Sequence, residues 1–324
     1  MSKPALLQTG PMMPLIERQL LEAFEVHKAA TPAGLEDALA KASSRIEAIC
    51  TGGHTGVKTD AALIARLPKL KVISNFGVGY DSIDANAAAK RGIIITNTPD
   101  VLNEEVADTA LGLLLMTVRE LGQAEQYLRA GKWATDGDYR LSPGSLRDRK
   151  LGMVGYGRIG KAIAKRAAAF GLPISYFGRT KQADVAYPFY DDVVAMARDV
   201  DTLMIITPGG PATESLINKA VFEALGPRGI IINVARGSVV DEPALIEALR
   251  KGTIFAAGLD VFYKEPNVNP ELMTLPNAVL LPHLGSASVH TRDGMGQIVV
   301  DNLTAYVAKQ PPLTPVPETQ FKSW

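Results

Sequence analysis

One cysteine, Cys50, stands in 324 residues. No disulfide can form within the chain, and no cysteine-based metal cluster can be built. Neither sign of charge is in excess: 34 lysines and arginines balance 34 aspartates and glutamates. That excludes the basic footprint of a nucleic-acid binder. No apolar run nears the ~18 residues of a membrane span. The N-terminal segment has Lys3 but no sustained apolar stretch, because Pro4, Pro11 and Pro14 interrupt it. Neither a signal peptide nor a membrane helix is expected. A cytoplasmic protein with no nucleic-acid, membrane or metal partner is the consistent expectation. Cys50 closes the apolar run 46–50 and reads as a buried strand residue rather than a nucleophile.

What is present is an ordinary globular balance, 47% hydrophobic and 21% charged, at a length that favours two domains. Apolar runs at 46–50, 71–74 and 93–96 read as strands, with helices at 60–67 and 84–90 between them. This alternation predicts a parallel sheet covered by helices. A longer helix starts near Asn103, runs to Leu121, and reads as a connector between domains. From Lys150 the rhythm restarts: strand 150–154, a glycine-rich turn, helix 160–170 and strand 173–177. Further strands follow at 202–206, 229–234, 256–259 and 278–281. The last helix, 289–309, returns after this second unit is complete. The expected architecture is α/β: two Rossmann-like or flavodoxin-like doubly wound parallel-sheet domains with a cleft between them. A discontinuous substrate domain, 1–99 plus 288–324, encloses a dinucleotide domain at 100–287. The tail 311–324, with four prolines, reads as an extended surface segment.

Gly155-Tyr156-Gly157-Arg158-Ile159-Gly160 follows an apolar strand and opens an alanine-rich helix. The first glycine permits the tight turn, the second lets backbone approach a pyrophosphate, and the third allows helix to pack on strand. The helix N-terminus adds unpaired N–H groups and partial positive charge. At the end of the next strand, where an NAD site usually places a carboxylate for the ribose 2′-hydroxyl, the chain has Gly178 followed by Arg179, Thr180 and Lys181. An Arg–phosphate bond is worth roughly 1.5–3 kcal/mol. Arg179 and Thr180 therefore predict a preference for NADPH, with NADH used weakly.

Arg236, Glu265 and His283 each lie beyond the end of a different expected strand, where open α/β sheets bind ligands. A guanidinium grips a carboxylate through two parallel hydrogen bonds. A carbonyl that accepts a hydride needs a proton, which an imidazole supplies near neutral pH. A carboxylate beside the imidazole fixes its tautomer and favours its charged form; at an effective dielectric near 20, opposite charges ~4 Å apart attract by about 4 kcal/mol before desolvation. The trio predicts reduction of a 2-oxo acid, with a lower pH optimum for reduction than for oxidation. His54 follows Gly52 and Gly53 in a strand-end loop and could border the substrate. His27 reads as structural, and His290 lacks a comparable setting.

Taken with Phe76-Gly77-Val78-Gly79-Tyr80-Asp81, the runs 155–160, 233–242, 258–266 and 282–288 resemble the signatures of the D-isomer-specific 2-hydroxyacid dehydrogenases. The resemblance extends from about residue 45 to 310. Within the family it is strongest to NADPH-linked glyoxylate/hydroxypyruvate reductases and hydroxyphenylpyruvate reductases, which share the Gly-Arg-Thr loop and the Thr314-Pro315-Val316 tail. It implies Arg236 as binder of the acid and carbonyl groups, His283 as acid/base and Glu265 as its partner. Gly53, Val78 and Gly79 are implied at the substrate, with backbone groups of Val78 and Gly79 holding its carboxylate. Cofactor contacts are implied at the glycine turn, Thr207, Pro208, Thr213, Val234, Ala235, Asp260 and Gly285. A homodimer through the cofactor domains is implied too, with Trp133 reaching the neighbouring subunit's pocket. Thr207-Pro208-Gly209-Gly210 departs from the Pro-Leu-Thr common in relatives, and losing the Leu is expected to loosen adenosine contacts. Hydroxypyruvate and glyoxylate are the expected substrates. An aromatic 2-oxo acid is the alternative, on the ground that Gly52 and Gly53 leave room. A non-catalytic nicotinamide-sensing scaffold is the reading from another class. A formate dehydrogenase is disfavoured, since that branch has Gln where Glu265 stands.

Overall fold

The computed structural model describes residues 3–53, 56–147 and 149–324. The chain divides into two units, Met1–Leu102 with Ser288–Trp324, and Asn103–Ala287.

In the first unit, β1 (Ala5–Gln8), α1 (Pro14–Ala23), β2 (Glu25–Lys28), α2 (Pro32–Ala42), β3 (Ile46–Thr51), α3 (Ala61–Ala65), β4 (Val72–Asn75), α4 (Ala85–Lys90) and β5 (Ile94–Thr96) follow one another. Among the described residues the strands form one parallel sheet in the order β2-β1-β3-β4-β5, the flavodoxin-like winding. Local chemistry starts the helices. Asp60 Oδ1 accepts from Leu63 N at 2.9 Å and Asp84 Oδ1 from Ala87 N at 2.8 Å, each satisfying an otherwise unpaired first-turn amide. Leu7, Ile46, Ile49, Ile73 and Ile95 fill the core. Strands β1 and β2 were not singled out in the sequence. In β1 only three apolar residues precede Gln8, and β2 is an edge strand whose Glu25 and Lys28 face solvent.

The second unit contains α5 (Asn103–Arg119), α6 (Leu121–Arg129), α7 (Lys132–Asp136), β6 (Leu151–Val154), α8 (Arg158–Ala169), β7 (Ile174–Phe177), β8 (Phe189–Tyr190), α9 (Val193–Asp199), β9 (Thr202–Ile205), α10 (Lys219–Leu225), β10 (Ile230–Asn233), α11 (Glu242–Lys251), β11 (Ala256–Leu259), α12 (Pro270–Met273) and β12 (Ala278–Leu280). Its sheet runs β12-β11-β10-β9-β6-β7-β8, the doubly wound order of dinucleotide-binding folds. The strand order reverses direction between β6 and β9, so the loops after those two strands open at the switch point. Both doubly wound sheets expected from the sequence are present.

Helix α5 is not the connector its apolar body suggested. It packs on α8 and on β10 and β11 within the second unit. A Cβ at Gly258 of β11 would stand 2.5 Å from Thr117 Oγ1 and 2.9 Å from Leu113 Cγ, so a glycine in the strand sets this close approach. The helix also stops at Arg119, short of Leu121, because Glu120 turns left-handed at φ 55°. The Glu120 carboxylate, largely buried, accepts from Arg140 Nη2 at 2.6 Å. Helix α13 (Val289–Val307) returns to the first unit, where it packs against α1 and β4. Gly296 permits that crossing, since a Cβ there would lie 2.4 Å from Ile16 Cγ1. The tail beyond it is only partly a surface segment, for Val316 and Thr319 are buried against β5. Among the described residues no helix is long and apolar enough to cross a membrane.

Candidate active site

The glycine turn after β6 has the geometry of an anion cradle. Gly155 sits at φ 99°, and a Cβ there would meet Thr207 N at 2.9 Å, so the ends of β6 and β9 press together. At Gly157 a Cβ would meet nothing within 4 Å. That open space lies at the start of α8, whose first amides lack helical partners. A Cβ on Gly160 would stand 2.8 Å from Gly155 O, so helix and turn approach as closely as glycine allows. The residues present therefore fit a pyrophosphate. Arg158 is exposed, Ile159 half-buried, and Tyr156 buried with its ring 4.9 Å from that of Tyr176.

Arg179, Thr180 and Lys181 are exposed in the loop after β7. Gln182 fixes the end of that loop: its backbone N donates to the Tyr176 hydroxyl at 2.9 Å and its Nε2 to Tyr156 O at 2.8 Å. After β9, Thr213 closes the turn begun at Thr207, with Oγ1 donating to Pro208 O at 2.7 Å and N to Gly210 O at 3.0 Å. Val234 and Ala235 are buried beyond β10.

Arg236 follows directly. Asn233, at the end of β10, bends the chain around it: Oδ1 accepts from Ala235 N at 3.0 Å and Nδ2 donates to Arg236 O at 2.9 Å. The guanidinium Nη1 donates to Ala235 O at 2.7 Å. The next residue, Gly237, lies flat on the Phe262–Tyr263 peptide, where a Cβ would come within 1.9 Å of Phe262 C. The Arg236 turn is thereby seated on the loop that leads to Glu265. Glu265 Oε1 accepts from Phe262 N at 3.0 Å, and its Oε2 lies 2.7 Å from His283 Nδ1.

Asp260 holds the His283 loop. Its backbone O accepts from His283 N at 2.8 Å, while its side chain accepts from Leu284 N at 2.7 Å and Gly285 N at 2.9 Å. The residue is 2% exposed, and burial raises its carboxyl above the ordinary aspartate range despite those two amides. His283 itself takes a left-handed backbone, φ 51°. Asn233, Gly237 and Asp260 as loop-shaping residues were missed in the sequence. The one local signal was an Asn two residues before a buried Ala, an Asx-turn pattern too common to single out.

In the first unit, side chains hold the carbonyls of Gly77, Val78 and Gly79 in loop 76–81. Asn75 Nδ2 donates to Gly77 O and Gly79 O, each at 2.9 Å, and Asn97 Nδ2 donates to Val78 O at 2.9 Å. Thr51 Oγ1 steadies Asn75 by donating to its Oδ1 at 2.8 Å. Among the described residues no acceptor takes the Val78 or Gly79 N–H. Gly53 does not leave room for a substrate, as the sequence suggested. It sits at φ 70°, and a Cβ would lie 2.2 Å from Phe76 O, so the glycine serves the approach of this loop. His54 lies outside the described residues.

Residues 111–285 match the NAD-binding domain of D-isomer specific 2-hydroxyacid dehydrogenases. The chain belongs to that family. Its relatives include hydroxyphenylpyruvate reductase of Plectranthus scutellarioides, 43% identical over 96% of this chain and 98% of the relative. Glyoxylate/hydroxypyruvate reductase A of Arabidopsis thaliana is 42% identical over 98% of this chain and all of the relative. Among solved structures, the NADPH-dependent glyoxylate/hydroxypyruvate reductase of Sinorhizobium meliloti, crystallised with NADP and malonate, superposes with a TM-score of 0.93 at 47% identity, over 100% and 99% of the two chains. As a member, the chain is an oxidoreductase carrying the family's NAD-binding domain. The departure at Gly209 acquires a structural correlate: a Cβ there would meet Arg236 Cγ at 2.9 Å and Cβ at 3.3 Å. In this family member the missing side chain makes room for the stem of Arg236.

Proposed function

We propose that the chain reduces small 2-oxo acids, hydroxypyruvate and glyoxylate first, to D-2-hydroxy acids with NADPH. The observation that carries this reading is the 2.7 Å contact of Glu265 Oε2 with His283 Nδ1. It sets a carboxylate against Nδ1 of the ring, the way an acid/base imidazole is oriented by its partner. In this reading the unit Asn103–Ala287 is the dinucleotide-binding domain, and the unit of residues 1–102 and 288–324 is the substrate-binding one.

The reduced nicotinamide, when bound, supplies the hydride. Arg236 binds the substrate carboxylate and polarises the adjacent carbonyl. The Val78 and Gly79 amides take the carboxylate, since their own carbonyls are already engaged. His283 Nε2 donates the proton, and Glu265 orients the ring. Arg179 and Thr180 take the 2′-phosphate. The NADP-bound neighbour supports NADPH as the cofactor, and the Arabidopsis relative supports the oxo-acid substrates.

The aromatic 2-oxo acid reading keeps support from the hydroxyphenylpyruvate reductase relative, and a homodimer through the cofactor domains belongs to the same proposal. Helices α6 and α7 bury no residue, and they and the segment after them expose Leu128, Trp133 (60%) and Leu141 (93%). A second copy would cover such a surface and bring Trp133 to its pocket. A cytoplasmic setting accords with Cys50 as a buried free thiol.

A panel of glyoxylate, hydroxypyruvate, phenylpyruvate and pyruvate, each with NADPH or NADH and followed at the reduced-nicotinamide absorbance, tests the reading. Turnover of none of them, or equal kcat/KM with the two cofactors, would overturn it. Light scattering of the eluting species tests the dimer.

A further inference from the structure

We propose that the C-terminal tail, residues 313–319, positions the substrate site by fixing loop 76–81 through Asn97 and Tyr80. The inference rests on the assignment of the Val78 and Gly79 amides to the substrate carboxylate. It adds a component that neither the motifs nor the catalytic trio contain.

The tail forms no helix or strand of its own, yet it is anchored at both ends. Asn302, fully buried on α13, receives Leu313 N and Thr314 N on Oδ1 at 2.9 and 3.1 Å and donates from Nδ2 to Thr314 Oγ1 at 2.9 Å. Farther on, Val316 N donates to Ile95 O at 2.9 Å, and Thr319 Oγ1 accepts from Ile95 N at 3.0 Å. The buried Val316 and Thr319 therefore run along the free edge of β5 and pair its backbone groups.

Two ties lead from this anchored tail to the loop. In the first, Thr314 Oγ1 donates to Asn97 O at 2.6 Å and Asn97 N donates to Thr314 O, so the tail clamps the Asn97 backbone. The Asn97 side chain then donates to Val78 O at 2.9 Å. In the second, the Tyr80 hydroxyl donates to both oxygens of Glu318, at 2.9 and 3.1 Å. Burial, and then the Glu318 carboxylate, push that hydroxyl up to about 12, so it remains a donor throughout the neutral range.

Asn75 grips the loop from the sheet side, and the tail grips it from the other. A peptide whose carbonyl is tied cannot rotate, so its N–H keeps one direction. An anion receptor made of two backbone amides depends on that fixed direction, because small misplacements of a binding group are costly in rate.

The test uses the full chain with Tyr80→Phe, Glu318→Ala and Glu318→Gln, the last retaining an acceptor. Hydroxypyruvate kinetics, NADPH affinity, Tm and amide hydrogen exchange are measured for each. Tyr80→Phe and Glu318→Ala should raise KM for the oxo acid about three- to tenfold, the scale of one partly exposed hydrogen bond to a charged acceptor. The kcat, the NADPH Kd and Tm should hold, exchange in 76–81 should quicken, and Glu318→Gln should recover most of the KM. Unchanged KM and unchanged exchange would overturn the tie. So would a loss of NADPH affinity and Tm in step with KM, which marks a merely structural contact. If the wild-type chain turned over no oxo acid, the functional reading would fall by itself. Exchange in the unliganded variants would still decide whether the tail holds the loop.

Discussion

Glu265 Oε2 and His283 Nδ1 meet at 2.7 Å although they leave different strands of the sheet, β11 and β12. The pairing engages Nδ1 of the ring and sets a carboxylate beside it. His283→Ala should lower kcat of reduction about 10²- to 10⁴-fold, the usual worth of a general acid. Glu265→Gln, which keeps shape and loses charge, should cost less. On the proposed mechanism His283 gives a proton in reduction and takes one in oxidation, so the rate of reduction should fall as pH rises and that of oxidation should rise. Superimposable pH–rate profiles in the two directions would remove His283 from the proton-transfer role.

Gly209→Ala places a methyl where Arg236 Cγ stands 2.9 Å away. The arginine stem must give way, since the Thr207–Thr213 turn is closed by its own hydrogen bonds. KM for the oxo acid should rise about tenfold, the low end for a bond between charged groups. Circular dichroism should be unchanged and NADPH affinity nearly so. A variant with wild-type KM would show that Arg236 does not depend on this space.

Arg179→Asp should reverse the cofactor preference, because a carboxylate suits a ribose hydroxyl and repels a 2′-phosphate. Loss of the Arg–phosphate bond alone is worth about 10- to 100-fold in NADPH affinity. An unchanged ratio of kcat/KM for NADPH and NADH would place phosphate recognition elsewhere.

Cys50, wholly buried on β3, has its thiol pushed up to about 12 by desolvation. The native protein should therefore not react with a thiol reagent at pH 8, and should react once unfolded. The sign of the stability effect follows. The fold favours the protonated thiol, so this contribution is complete below the unfolded value near 9 and is lost as pH rises toward about 12. Wild type should lose on the order of 1 kcal/mol more than Cys50→Ala for each pH unit in that window. Urea titrations at pH 8 and 10 measure it.

The central strands were legible in the sequence because they are continuous apolar runs bounded by turn residues, as at β10 and β3. Helices beginning at Asp60 and Asp84 were legible, and the structure adds that each aspartate caps its first turn. Strands β1 and β2, helices α6 and α7, and the end of α5 were not. The two strands lack a continuous apolar run, β1 ending at Gln8 and β2 reading Glu-Val-His-Lys, and a left-handed Glu120 held by Arg140 is a contact across 20 residues of chain. The site was legible as residue types at strand ends. Its supports were not, because Asn233 and Asp260 bond backbone groups of the loops that only the fold brings to them, and Gly237 acts by lacking a Cβ against the Phe262 peptide.

The sequence by itself determined two doubly wound sheets, a glycine turn suited to pyrophosphate, and Arg236, Glu265 and His283 beyond successive strands. These follow from local chemistry: periodicity, caps, and the backbone freedom of glycine. Tertiary structure alone decided that Glu265 bonds Nδ1 of His283, that Gly209 accommodates the stem of Arg236, and that Gly53 serves the approach of Phe76. It alone decided, too, that Glu318 reaches back to Tyr80 across 238 residues. Such contacts join distant segments at distances of a few ångströms, and only the folding of each unit brings its segments together.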